Sequence, residues 1–594
     1  MLTIDFVKHL YERFIHEDIY EYSDWYKQYK DAGDFVSKLR DNLLRGTSLD
    51  DAAIEVIVEK PPWNGEKRDI ASFLHFYWVE QSNGVCNVAQ GQIPSQKFQE
   101  IMDFEANLDG RKLGFIDLNK EIILGQEEKM TETFELTEKW FEGFCSQRND
   151  NRPHVVIRRF FSTLYPGPLA IVVSDKIINF LIKRIKITAA DEKDKWLKKN
   201  TALTGILEPM GSIPEDDPYK RSIFFYYLYD FLYYSLLDKQ TVFYGSPGTG
   251  KTHRAKRTAQ DHYEAWKLLS EAKVPEFDQA CQVVQFHPSF TYEDFIEGIR
   301  PGKLETGTPQ LQLVNGIFKE FCKKAALWEF DYYKSLKDPG KAPSFETLTV
   351  KKVKEMDLFR KEGWEHVEGK PDDHRVLQYV PPFFFVIDEI NRAELSRVFG
   401  ELMYCLEYRG YDGKVQTQYS NLIKDKDDPA VFWYEKPKNY FFVPHNVYII
   451  GTMNTIDRSV ESFDFALRRR FLWKKVDPSP SVLRAFLTKK SNEAKLTKKF
   501  IDTVVNKMDK LNDEIKKHSL LGDDFKIGHT YFFDVVKYAE DESTSEVLKR
   551  MWSNKLQPLL EEYLRGLGNQ EVIRATIEKW GRQFCNVRDR ETEQ

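Results

Sequence analysis

Eight residues constrain this chain more than any other stretch. Gly245 to Thr252 read GSPGTGKT, directly after the apolar run Thr241-Val242-Phe243-Tyr244 and directly before a polar, helix-compatible segment. Glycines in such a strand-loop-helix setting let the backbone curl, so that successive N–H groups converge on an anion at a helix N-terminus. Lys251 would reach terminal phosphates, and the Thr252 hydroxyl would ligate a magnesium ion. Contacts to a bound nucleotide are expected along Gly245, Ser246, Pro247, Gly248, Thr249, Gly250, Lys251, Thr252 and His253. A glycine-rich turn with no ligand is the plain alternative, to be weighed against the rest of the chain.

Further apolar, strand-like runs recur between helical patterns at Gln282 to Phe286, Phe383 to Ile387, Val447 to Ile450 and Arg470 to Val476. Together with 241–244 they predict five strands of a parallel sheet in an alternating α/β plan. At 594 residues the chain exceeds what one core supports, so several domains are expected. The reading is an N-terminal α+β domain over 1–200, a linker over 201–220, a large α/β domain over 221–477 and a helical lid over 478–594. The aromatic stretch Tyr219 to Asp238 reads as a helix packed on the nucleotide domain. The gap of 137 residues from Lys251 to Asp388 is long, which predicts an insertion within 326–376.

Composition excludes several classes. A net charge of −6 gives no global nucleic-acid signal. The six cysteines are scattered without a CxxC pair, which argues for reduced thiols rather than a disulfide frame or a zinc site. No stretch approaches ~18 uncharged apolar residues, so no membrane association is expected and a cytoplasmic location follows.

Three more elements carry chemistry. Phe383 to Glu389 is an apolar strand ending in two carboxylates, which would bring Asp388 beside Thr252 to hold the magnesium shell. Glu389 would then polarise an attacking water as general base. Val447 to Asn454 is another buried strand, and the Asn454 amide could orient the same water or touch the γ-phosphate. In the run Asp464-Phe465-Ala466-Leu467-Arg468-Arg469-Arg470-Phe471, Arg468 or Arg469 could serve a neighbouring subunit's nucleotide in trans, with Arg470 structural.

These four elements, in this order, resemble the AAA+ P-loop NTPases: a five-stranded parallel sheet with a helical lid. Asp388-Glu389-Ile390-Asn391-Arg392-Ala393 and Met453-Asn454-Thr455-Ile456-Asp457-Arg458-Ser459 resemble the motifs of the McrB-like GTPases, the motor subunits of modification-dependent restriction systems. Phe286 to Phe295 and Ile527-Gly528-His529-Thr530-Tyr531-Phe532 fit the same family, with Thr530 where the family often has Ser. The resemblance covers roughly 220–570. It implies a homo-hexamer that hydrolyses GTP with Mg2+, stimulated by a McrC-like nuclease partner and acting on DNA in anti-phage defence. It also implies that Asp457 and Arg458 lie beside the γ-phosphate machinery; a local salt bridge between them is the alternative. No NKxD-like element announces a guanine site, and the phosphate chemistry would be the same with ATP.

In the family the N-terminal region senses DNA. The stretch Arg152, Arg158, Arg159, Phe160, Phe161, Lys183, Arg184 and Lys186 is the candidate contact, with a solvated basic face over a small sheet as its alternative. The acidic first 150 residues leave a protein-binding role open. Glu493-Ala494-Lys495 has an E-x-K look without a strand-borne Asp before it, so cleavage by this chain alone is not expected. Two alternatives to a restriction motor remain: an ATP-driven remodeller of protein complexes, and a nucleotide-switched scaffold.

Overall fold

The five apolar runs are the five strands of one parallel sheet. In the computed structural model, residues 4–16, 25–45, 97–125, 127–148, 153–207, 217–233, 238–270, 275–301, 311–370, 372–456, 465–494, 496–539, 543–567 and 569–586 are described. The chain divides into two compact units, Met1–Tyr234 and Ser235–Gln594.

In the second unit the strands are β1 (Gln240–Gly245), β2 (Cys281–Gln285), β3 (Phe383–Asp388), β4 (Val447–Asn454) and β5 (Leu472–Lys475). They lie in the order β5-β1-β4-β3-β2, every pair parallel. Strands buried on both faces need no polar alternation, which is why FFFVI in β3 and the inner part of β4 read as near-continuous apolar runs. The register fixes the chemistry: Asn454 sits beside Gly245, and Gly451 beside Ile387. The carboxyl ends of β1, β3 and β4 thus meet at one edge, where open α/β sheets bind ligands.

The expected insertion is woven into the same core rather than appended to it. Helices Leu327–Lys334 and Val350–Glu355, joined by short 3-10 turns, bury Tyr332, Tyr333, Phe345 and Trp364 with the sheet's aromatic residues. Glu329 in this segment is buried and takes hydrogen bonds from the His445 backbone N–H (3.1 Å) and makes a 3.0 Å contact with His445 Nδ1, tying it to the turn before β4. The lid follows as helices Pro480–Ala494, Lys498–Lys517, Thr544–Met551, Gln557–Leu564 and Gln570–Cys585 around their own apolar core. Glu493 falls in the first of these helices.

The first unit is mainly helical, with one antiparallel hairpin, Glu105–Leu108 with Arg111–Gly114, among the described residues. Trp140 anchors its core, with the rings of Phe104, Phe115 and Phe141 about it and its indole N–H donated to the Leu113 carbonyl (2.8 Å). The apolar run His154 to Ile157 opens a helix, His154–Leu164, because Val156, Ile157, Phe160, Phe161 and Leu164 continue it at helical spacing and are all buried.

The helix Pro218–Tyr233, read as part of the nucleotide domain, packs within the first unit. Phe224 meets Tyr11 and Phe14 at 4.9 and 5.4 Å, and the Ser222 carbonyl accepts from the Ile171 N–H. Its aromatic face is matched by aromatic partners on Ile4–His16, and that match decides its side. Of the expected linker 201–220, residues 201–204 instead close the helix Trp196–Thr204, Pro218 opens the next helix, and 208–216 lie outside the described residues.

Candidate active site

β1 delivers the phosphate loop to the carboxyl edge of the sheet, and helix Lys251–Ser270 leaves from it. Gly248 holds φ +75°, a region L-residues avoid, and an added Cβ there would come within 2.5 Å of the Tyr531 ring. Only glycine satisfies both demands. The Lys251 ammonium is buried and donates to the Gly245 and Ser246 carbonyls (3.1 and 2.7 Å), which lays its stem along the concave side of the loop. Thr249 braces the turn by donating to the Ser246 carbonyl (3.0 Å). His253, one turn into the helix, is exposed.

Asp388 closes β3. Its Oδ1 accepts the Thr252 hydroxyl at 2.6 Å and, unanticipated, the Thr452 hydroxyl at 2.6 Å. Its backbone is fixed by the Phe286 N–H donating to the Asp388 carbonyl (2.9 Å). A hydroxyl and a carboxylate side by side are hard oxygen donors. Mg2+ is commonly held by one or two such groups while phosphates and water fill the rest of its octahedron, so this donor set fits it. Among the described residues no three His, Cys, Asp or Glu side chains cluster as a metal cage.

Glu389 adopts φ +54°, a left-handed conformation that costs a non-glycine residue about 1–3 kcal/mol. Three contacts hold it there. Its N–H donates to Thr452 Oγ1 (3.1 Å), its Oε1 accepts from Asn454 Nδ2 (2.6 Å), and its Oε2 faces Arg392 Nε at 3.7 Å. The kink turns the carboxylate out of the strand line towards Asn454, the posture a base beside a terminal phosphate needs. Asn391 adds a bond from Nδ2 to the Asn454 carbonyl (3.4 Å). Thr452 was missed because one threonine inside an apolar strand reads as ordinary β-propensity. The signal available was its register: two residues before Asn454 puts its side chain on the same face, facing the carboxylates.

The lid reaches the phosphate loop directly. Thr530 donates both its backbone N–H (3.0 Å) and its hydroxyl (2.8 Å) to the Gly248 carbonyl, and the Gly528 N–H donates to the Pro247 carbonyl (3.2 Å). Buried His529 accepts the Ser479 N–H at Nδ1 (3.1 Å), with Nε2 turned towards Gly250. The segment Ile527 to Phe532 is therefore part of the site.

The arginine run lies elsewhere. Arg468 to Arg470 precede β5, whose first residue pairs with Thr241 near the amino end of β1. At ~3.3 Å per residue, four residues of β1 put Gly245 more than 13 Å further along. These arginines are at the edge opposite this chain's own phosphate loop. Arg468 lies over the Trp473 ring (5.4 Å), while Arg469 and Arg470 both contact Glu407 Oε2 (3.2 and 2.6 Å). Asp457 and Arg458 lie outside the described residues.

The candidate DNA-contact stretch is mostly spent inside the first unit. Phe160, Phe161 and Arg159 are buried. Arg158 is paired with Asp175 (2.8 Å) and lies over Trp196, with Asp175 also taking the buried Lys199 ammonium (2.7 Å). These two cations hold the Asp175 carboxyl below its usual range despite its partial burial. Lys183 and Lys186 remain exposed, Arg184 lies over Phe180, and Arg152 is outside the described residues. The four central residues of that stretch therefore serve the first unit internally, three by burial and Arg158 by its ion pair and its place over Trp196.

Among the described residues no helix is long and apolar enough to cross a membrane. Residues 240–471 match the family described as the AAA domain of the dynein-related subfamily, and residues 503–571 match the alpha-helical lid domain of McrB. The chain is 33% identical over 333 residues to the type IV methyl-directed restriction enzyme EcoKMcrB subunit of Escherichia coli (strain K12). That match covers 55% of this chain and 54% of the relative, so the chain spans about half the length of the curated protein it matches. With its parallel sheet and phosphate loop, the second unit thus carries an AAA domain over residues 240–471 and a McrB-type helical lid over residues 503–571.

Proposed function

We propose that this chain is a magnesium-dependent nucleoside triphosphatase, with GTP as its substrate, and that it is the oligomeric motor of a McrBC-like, modification-dependent restriction complex. The convergence of Thr252, Thr452 and Asp388 beside a strained Glu389 held by Asn454 carries the nucleotidase reading. Bound Mg2+ supplies charge neutralisation of the phosphate oxygens. Thr252 and Asp388 would hold it, the loop N–H groups and Lys251 would bind the phosphates, and Glu389 would take the proton from a water oriented by Asn454. By the family resemblance Asp457 and Arg458 would take part in hydrolysis, and the exposed arginines would serve a neighbouring copy.

The choice of GTP, a hexameric assembly, a McrC-like nuclease partner and action on DNA are what the resemblance of the 388–393 and 453–459 motifs to the McrB-like GTPases implies, and similarity to a methyl-directed restriction enzyme subunit supports the restriction setting. Turnover of GTP and ATP, measured with and without DNA and a purified McrC-like nuclease, tests them. GTP preference with stimulation by the nuclease is expected. ATP preference with no response to either addition refutes the restriction reading. A second reading, a remodeller of protein complexes using ATP, is favoured by one observation: Arg159, Phe160 and Phe161 of the N-terminal basic stretch are buried and Arg158 is ion-paired, so protein recognition by that unit competes with DNA sensing.

A further inference from the structure

Three adjacent arginines cannot all do the same work, and the structure treats them differently. Glu407 closes the helix Leu402–Glu407, whose end is fixed to the amino edge of the sheet by Gln240 Nε2 donating to the Leu406 carbonyl (2.6 Å). Its Oε2 lies 2.6 Å from Arg470 Nη2 and 3.2 Å from Arg469 Nη2. Arg470 is 13% exposed and Arg469 66% exposed, so one guanidinium is a brace and the other points outward while tethered at one nitrogen. Arg468 is laid on Trp473, which also donates its indole N–H to the Arg468 carbonyl (2.8 Å).

The surroundings carry exposed aromatic side chains. Phe465, on the short helix that leads into the arginines, is 86% exposed. Tyr404 and Tyr408, flanking Glu407, are about half exposed and packed on each other at 4.8 Å. Exposed aromatics about a tethered arginine are what an interface with another copy would bury.

We propose that Glu407 is a positioning residue that presents Arg469, braced by Arg470, to the nucleotide of a neighbouring copy of this chain. Without it two adjacent like charges repel, and a long side chain with several rotatable bonds samples many directions. A carboxylate behind the pair sets one direction before the neighbour's phosphates arrive, and such preorganisation is where a charge-stabilising group gains its effect. The inference rests on the nucleotidase reading above.

Steady-state kinetics of Glu407→Ala and Glu407→Gln test it, with thermal melts to show that both variants fold. Glu407→Ala is expected to lower kcat about 10- to 100-fold with little change in KM, because this chain's own phosphate loop is untouched. Glu407→Gln, which keeps an acceptor oxygen, is expected to fall between Ala and wild type. Adding Glu407→Ala to Arg469→Ala should cost nothing further, since both remove one function; adding it to Arg468→Ala should cost the full factor. Mixing Glu407→Ala with Lys251→Ala should raise turnover above the sum of the separate rates, as the second variant offers an intact arginine run to the first variant's intact phosphate loop. Wild-type kcat in Glu407→Ala, full additivity with Arg469→Ala, or no recovery on mixing each overturns the proposal while leaving the nucleotidase reading intact. A wild-type chain with no turnover overturns both.

Discussion

Replacing Thr452 by Val removes one oxygen and leaves the volume and branching of the side chain in place. Thr452 is 2% exposed, so no water substitutes for the lost hydroxyl. Two bonds go: the donation to Asp388 Oδ1 at 2.6 Å and the acceptance from the Glu389 N–H at 3.1 Å. A buried N–H left unpaired costs about 1–3 kcal/mol, and a hydrogen bond to a carboxylate contributes about 1.5–3 kcal/mol. Asp388 keeps the Thr252 hydroxyl, which moderates the second figure. A destabilisation of ~2–4 kcal/mol is expected. For the 360 residues of the second unit (235 to 594), an unfolding entropy of ~2.1 cal/mol/K per residue converts that to a Tm lower by about 3–5 °C. Glu389 also loses the tie that helps hold its left-handed backbone, so kcat for nucleotide hydrolysis is expected to fall about tenfold or more while nucleotide affinity changes little. Differential scanning fluorimetry and single-turnover hydrolysis read the two effects, and Thr452→Ser should recover most of both. A Thr452→Val protein with wild-type Tm and wild-type single-turnover rate would refute the assignment of that hydroxyl to the site.

Gly248→Ala combines a left-handed backbone cost of about 1–2 kcal/mol with a Cβ only 2.5 Å from the Tyr531 ring, and should abolish binding of a fluorescent nucleotide in titrations. Thr530→Val removes the hydroxyl that supplements a backbone bond to the Gly248 carbonyl; nucleotide affinity is expected to weaken several-fold, by isothermal titration, with Thr530→Ser near wild type. Asp523 in the lid takes hydrogen bonds from Lys475 of β5 and from Lys526, which hold its carboxyl down to about 2. A depressed folded value stabilises above the unfolded value near ~3.9 and is lost as pH falls through 2. Asp523→Asn should therefore melt below wild type at pH 7, with the gap closing between about pH 4 and pH 2.

Much of the second unit was legible because its chemistry and its burial coincide. β1, β3 and β4 are buried on both faces, so their apolar runs mark them to within a few residues, and the polar residues that end them are the ones that meet at the sheet edge. Strand order was not legible, since no local pattern states that β4 lies between β1 and β3. Nor were the lid contacts, because Thr530 and Gly248 are 282 residues apart and the hydroxyl of Thr530 looks the same whether it faces a glycine carbonyl or water. In the first unit, charge and aromatic content misled. Arg158 has the composition of a phosphate contact, yet a carboxylate 17 residues on and an indole use its cation internally. Arg470, by contrast, was readable as structural from its place just before an apolar strand, and it is the least exposed of the paired arginines.

The grip of the lid on the Pro247 and Gly248 carbonyls carries a thermodynamic obligation. In the proposed reading, phosphates would bind the N–H side of those same peptide planes, whose C=O side the lid holds. Tilting a peptide plane to improve one set of bonds changes the geometry of the other, so nucleotide affinity and lid docking are conjugate quantities. Whatever factor the nucleotide applies to lid docking, the docked lid must return to nucleotide affinity. A pull exerted on the lid by any bound partner would then be felt at the phosphates as a change in binding constant, transmitted through two peptide bonds.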